Sequence, residues 1–136
     1  MELARLVGAS GRVIAVDLQP RMLDSLRRRA ARAGFADRLD ARLAQPDSLG
    51  LSDLGAVVDF TLAFAVVHEM PAAAPFFREV ARVSKPRARL LFAEPSGHVT
   101  AAQFDAELGA ARDAGFSVVD SPSISRSRAV LLERVG

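Results

Sequence analysis

The chain has 136 residues, 50% of them hydrophobic and 25% charged, the size and balance of one globular domain rather than a disordered or fibrous chain. It has no cysteine, which excludes disulfides, thiolate nucleophiles and cysteine-based zinc or iron–sulfur sites. The net charge is only +2, carried on arginines and the single lysine Lys85. Tyr and Trp are absent and no basic run is interleaved with aromatics, so no nucleic-acid partner is expected.

Residues 3–7 read as the last turns of a helix that ends at Gly8. Val13-Ile14-Ala15-Val16 is a short apolar run between Gly11 and Asp17, the pattern of a buried strand. Pro20 opens a helix, with Met22, Leu23, Leu26, Ala30 and Ala33 at helical spacing and Gly34 as its C-cap. Arg27-Arg28-Arg29 on that helix reads as a solvated face. Leu39–Ala44 is a second strand, and Pro46 to Gly55 a polar connection.

Val57 to Val67 is the longest apolar stretch, and its first part reads as a central strand. Pro71 and Pro75 open a helix that turns Phe76, Phe77, Val80 and Val83 inward and stops at Lys85-Pro86. Arg89–Ala93 is the next strand. A helix from Thr100 to Ala114 follows, with Phe104, Leu108 and Ala111 on one face. Phe116–Asp120 and Arg128–Glu133 close the chain as an antiparallel pair. Alternation of this kind predicts a parallel α/β sheet with helices on both faces.

Several of these segments resemble class I S-adenosylmethionine-dependent methyltransferases, and most closely the type 11 group that includes ubiquinone and menaquinone methyltransferases. Gly11-Arg12-Val13-Ile14-Ala15-Val16-Asp17-Leu18 is similar to the family's second strand. Val58-Asp59-Phe60 leading to Ala65-Val66-Val67-His68-Glu69 resembles its fourth. Phe77 to Pro86, then Arg89-Leu90-Leu91-Phe92-Ala93-Glu94-Pro95, looks like its helix, Lys-Pro turn and fifth strand. Ala114-Gly115-Phe116 and the closing strands resemble its terminal hairpin. The resemblance implies a Rossmann-like methyltransferase sheet, mostly parallel with an antiparallel terminal pair, over a single domain of residues 1–136.

Two departures carry consequences. Where the family's Lys-Pro turn continues Gly-Gly, this chain has Arg87-Ala88, so the turn is expected to use another backbone geometry. The family's first strand and its Gly-x-Gly-x-Gly turn have no counterpart, so the domain reads as truncated at its N-terminal side. The family's sheet runs third, second, first, fourth, fifth, seventh, sixth strand, so the absent strand is the central one. An unpaired gap between buried strands is costly, at ~1–3 kcal/mol per unsatisfied group. Direct pairing of the Val13–Val16 and Val57–Ala63 strands is therefore expected, with a strand supplied by another chain, or a sequence that is a fragment of a longer protein, as the alternatives.

The resemblance implies S-adenosylmethionine as cofactor. Asp17 would hold the ribose hydroxyls, with helix capping as the alternative. Leu18 would lie on the adenine face or in the core. Ala44 and Gln45 would meet the adenine, with Gln45 accepting from its amino group, and Asp47 is a neighbouring candidate. His68 and Glu69 follow the central strand, and His68 suits proton transfer near neutral pH; a backbone-paired structural histidine is the alternative. Glu94 and His98 would line the substrate mouth. No spacing signature supports a metal site.

The reaction implied is methyl transfer to a small-molecule acceptor. A non-catalytic fragment that binds a protein partner, or another copy of itself, through unpaired strand edges is the alternative. A nicotinamide-dependent oxidoreductase is disfavoured by the missing Gly-x-Gly-x-x-Gly. No apolar run reaches the roughly 18 residues of a membrane span, and the first residues lack a signal-peptide core. A cytoplasmic protein with no membrane partner is expected.

Overall fold

The computed structural model describes residues 2–135; Met1 and Gly136 lie outside the described residues. The chain divides into two compact units, Met1–Gly50 and Leu51–Gly136.

The first unit holds α1 (Glu2–Leu6), β1 (Val13–Asp17), α2 (Pro20–Arg32) and β2 (Leu39–Leu43). β1 and β2 run parallel, with Val13 opposite Leu39 and Asp17 opposite Leu43. α2 begins on Pro20, whose fixed φ and missing N–H suit a first helical position. The helix ends where Gly34 adopts φ +78° and the Phe35 N–H reaches back to the Ala30 oxygen at 2.8 Å. These bonds satisfy carbonyls that a helix end would leave orphaned. Leu23 and Ala30 are buried on α2, whereas Met22 is 55% exposed. The expectation that Met22 faces inward is thus corrected: Leu23 and Ala30, seven residues apart, define the buried stripe.

The second unit is a four-stranded sheet of β3 (Val58–Phe64), β4 (Ser84–Pro95), β5 (Phe116–Asp120) and β6 (Ser127–Arg134), in the order β3-β4-β6-β5. β3 is parallel to β4, and β6 is antiparallel to both β4 and β5. Two helices cover it, α3 (Ala73–Val83) and α4 (Ala101–Asp113). The Phe92 ring on β4 meets Phe77 of α3 edge-on at 5.2 Å and stacks on Phe104 of α4 at 5.0 Å. Both helices therefore lie on the Phe92 face of this sheet. The opposite face of β3 leaves Phe60, Leu62 and Phe64 exposed. Phe77, Phe92, Leu90 and Leu132 form a fully buried centre, with aromatic edge-to-face geometry adding to the area term.

Two expectations are overturned by the backbone. Direct pairing of β1 with β3 does not occur: β1 pairs with β2, β3 pairs with β4, and the two belong to separate sheets. The cost argument assumed buried edges, but Asp59, Phe60, Leu62 and Phe64 of β3 are exposed, so free backbone groups there can bond water. Arg87 takes φ +66°, so the turn keeps left-handed geometry without glycine. β4 also starts at Ser84 and runs through Lys85-Pro86. The irregularity is absorbed as a register shift between Val58 and Phe60 on the neighbouring strand.

Candidate functional site

In open α/β sheets, ligands bind beyond the carboxyl ends of the strands. In the first unit, β1 and β2 end side by side: Asp17 is opposite Leu43, and the Ala44 N–H donates to the Asp17 carbonyl at 2.8 Å. This pairing brings Asp17, Leu18, Ala44 and Gln45 to one edge. Asp17 and Leu18 are half-buried, Ala44 is buried and Gln45 exposed.

Asp17 Oδ1 accepts from the Gln19 N–H at 2.8 Å, and Gln19 caps α2. The carboxylate thus helps turn the chain into the helix. Its Oδ2 accepts no hydrogen bond among the described residues, which leaves an acceptor for a ligand hydroxyl. Gln45 exchanges backbone bonds with Ser48, 2.9 and 3.2 Å long, and its side-chain amide is free among the described residues. Asp47 is exposed in the same turn. A half-buried carboxylate and an amide, each with a free acceptor, thus lie at one strand edge beside Leu18 and Ala44.

The second unit carries a different cluster. β3 leaves the sheet through Ala65, held at φ +60° while its N–H bonds the Ala93 carbonyl at 2.8 Å. A left-handed alanine is strained, and such strain persists where the surroundings over-determine it. The turn places His68 Nδ1 3.1 Å from Oε1 of Glu94, near the end of β4. Glu94 is fully buried, and His98, in the following loop, stacks on His68 with ring centres 6.1 Å apart. Glu69 is exposed, and its side chain forms no ion pair or hydrogen bond among the described residues. His68, Glu94 and His98 therefore come together, and Glu69 stands apart. Among the described residues no group of three or more His, Asp or Glu side chains is arranged to hold a metal ion.

One member of the cluster escaped the sequence reading. Glu107 of α4 faces Glu94, and its carboxyl is pushed up to about 8, by burial first and then by hydrogen bonding to Glu94 and by that group's charge. Glu94 Oε2 and Glu107 Oε1 are both buried without a donor. Two acceptor-only carboxylates cannot satisfy each other, whereas one shared proton supplies the missing donor. A signal was present: Glu107 lies three residues after Phe104 and four before Ala111, inside the apolar stripe of α4.

Comparison with known proteins bears on both units. The methyltransferase-domain family of type 11 matches residues 1–92. A S-adenosylmethionine-dependent methyltransferase from Aquifex aeolicus superposes with a TM-score of 0.82 at 23% identity, over 98% of this chain and 74% of that one. The [4+2]-cyclase SpnF superposes at 0.78 with 17% identity, over 99% and 71%. A S-adenosylmethionine-dependent methyltransferase from Mesorhizobium loti does so at 0.71 with 16% identity, over 91% and 81%. At such identities these likenesses speak for the fold. Comparison with curated proteins finds no match. The family's strand order is present as its third and second strands in one unit and its fourth, fifth, seventh and sixth in the other. The chain belongs to the methyltransferase-domain family.

Proposed function

We propose that the protein transfers the methyl group of S-adenosylmethionine to a small-molecule acceptor, and that residues 1–136 act as one domain. The observation that carries this reading is the convergence of Asp17, Leu18, Ala44 and Gln45 at the carboxyl edge of β1 and β2, within the segment matched by the family. When bound, S-adenosylmethionine would supply an activated methyl group: the acceptor nucleophile would form its bond to the methyl carbon as the S–CH3 bond breaks, the sulfur leaving as the neutral thioether of S-adenosylhomocysteine. Asp17 would hold the ribose through its free Oδ2, Leu18 and Ala44 would pack against the adenine, and Gln45 would accept from its amino group through the amide oxygen.

On the acceptor side, His68 takes a proton. A Glu94 carboxylate can only accept, so His68 Nδ1 is the donor in their hydrogen bond, and in the neutral ring Nε2 then carries the lone pair. Nε2 bonds nothing among the described residues and can receive the proton that the acceptor loses. Glu94 positions the ring, and His98 lines the mouth beside it. Orientation of the two reactants supplies most of the acceleration in this reading.

We read the protein as cytoplasmic and without nucleic-acid partners; no helix among the described residues is long and apolar enough to cross a membrane. Titration calorimetry with S-adenosylmethionine tests the reading: binding heat that disappears in Asp17→Ala supports it, and no heat in the unaltered chain contradicts it. The exposed Phe60, Leu62 and Phe64 on β3 favour a second reading, a non-catalytic chain that takes a protein partner, or a second copy, along that strand. Absence of cofactor heat together with a dimer on sizing would select it.

A further inference from the structure

Glu94 is the unusual group of the second unit. It is a fully buried carboxyl on the helix-covered face of the sheet, the same face as Phe92 and Leu90. Burying an ionised carboxylate is expensive unless its oxygens are hydrogen-bonded. Oε1 meets His68 Nδ1 at 3.1 Å. For Oε2 the available partner is Glu107, reaching in from α4.

The charged and titratable groups around this pair come from every neighbouring element. The turn after β3 contributes His68, the loop after β4 contributes His98, and β6 contributes Arg128, opposite Glu94 in register. Arg128 directs its Nε to the Val99 carbonyl at 2.9 Å. α4 is itself held firmly: Thr100 and Gln103 form a reciprocal capping box at its start, and Phe104, Leu108 and Ala111 are buried. A helix anchored at the cap and along its stripe fixes where Glu107 stands.

We propose that Glu107 is a positioning residue. Its O–H donates to Glu94, which keeps Glu94 an ionised acceptor for the His68 Nδ1–H and leaves Nε2 as the basic nitrogen of the ring. The inference rests on the reading of His68 as the proton acceptor. Without the Glu107 proton, Glu94 would have two poor choices. It could take up the proton itself and weaken its hold on the His68 donor. Or it could stay ionised beside a second carboxylate and draw a proton onto Nε2. Either change costs His68 its role as base. The upward shift of Glu107 to about 8 fits a proton that stays on the pair throughout the neutral range.

The test is a pH titration of the full chain by nitrogen-15 NMR of its two histidine rings. It compares the unaltered protein with Glu107→Gln and Glu107→Ala. In the unaltered chain, His68 should be the Nδ1–H tautomer at neutral pH, with a second inflection in its ring signals near pH 8 as Glu107 ionises. Glu107→Gln, whose amide N–H can donate to Glu94 at any pH, should keep the tautomer and lose the second inflection. Glu107→Ala should lose the tautomer preference. Amide dispersion reports whether each variant is folded. A dominant Nε2–H tautomer in the unaltered chain would overturn the proposal. So would an inflection that survives in Glu107→Gln. The cofactor reading stands or falls separately: Asp17→Ala should abolish S-adenosylmethionine heat while leaving the His68 tautomer unchanged.

Discussion

The two units solve the problem of a core at different scales. In Leu51–Gly136, Phe77 and Phe92 are fully buried, and Phe76, Phe104 and Phe116 join them in edge-on and stacked contacts. In Met1–Gly50 the large buried side chains are Leu23 and Leu49, under a sheet of only two strands. Two strands alone are marginal in water, and a helix must cover them to give independent stability. The candidate cofactor contacts sit in the lean unit and the buried proton-bearing cluster in the rich one. A buried polar network is tolerated only where its members are paired and held in place, because a low dielectric makes any unpaired member costly.

The largest test of this difference is Phe77→Ala. Removing the ring at the centre of the aromatic cluster should destabilise the second unit by about 3–5 kcal/mol, read as a lower denaturant midpoint. A loss below 1 kcal/mol would mean the cluster is not the source of its stability. Leu23→Ala should cost about 2–3 kcal/mol. Hydrogen exchange should show β1 and β2 losing protection while amides of β4 and β6 keep theirs. Simultaneous loss in all four strands would erase the contrast between the units.

Smaller effects refine it. Arg87→Gly should stabilise the second unit by about 0.5–1 kcal/mol, because glycine relieves the left-handed strain but loses more chain entropy on folding. A lowered melting temperature would contradict that account. The pH dependence is the finest probe. Glu107 holds its proton more tightly folded than unfolded, with its carboxyl raised from 4.5 to about 8. Its contribution to stability is therefore full below about 4.5 and lost as pH rises through about 8. Denaturation midpoints should decline over that window, and Glu107→Gln should flatten the decline.

Much of this fold was legible in local pattern. The stripe of Phe104, Leu108 and Ala111 and the cap at Thr100 defined α4, and both are present. Asp17, Leu18, Ala44 and Gln45 converge because two parallel strands of equal length end together. What the sequence withheld was tertiary. Arg87 looked incompatible with a left-handed turn, yet the pairing of β3 with β4 on either side imposes it. β1 and β3 looked obliged to pair, but that presumed both were buried. Glu107 was not singled out by the sequence, because local spacing does not reveal that Glu94 lies opposite. Its place in an apolar stripe was the available clue.

The central claim is that the carboxyl edge of β1 and β2 takes S-adenosylmethionine. Backbone amide NMR of the full chain, titrated with S-adenosylmethionine, tests it residue by residue. The account predicts saturable shifts concentrated at Asp17, Leu18, Ala44 and Gln45, absent in Asp17→Ala. Saturable binding that leaves those four amides unmoved, or shifts with NADH and none with S-adenosylmethionine, would contradict it.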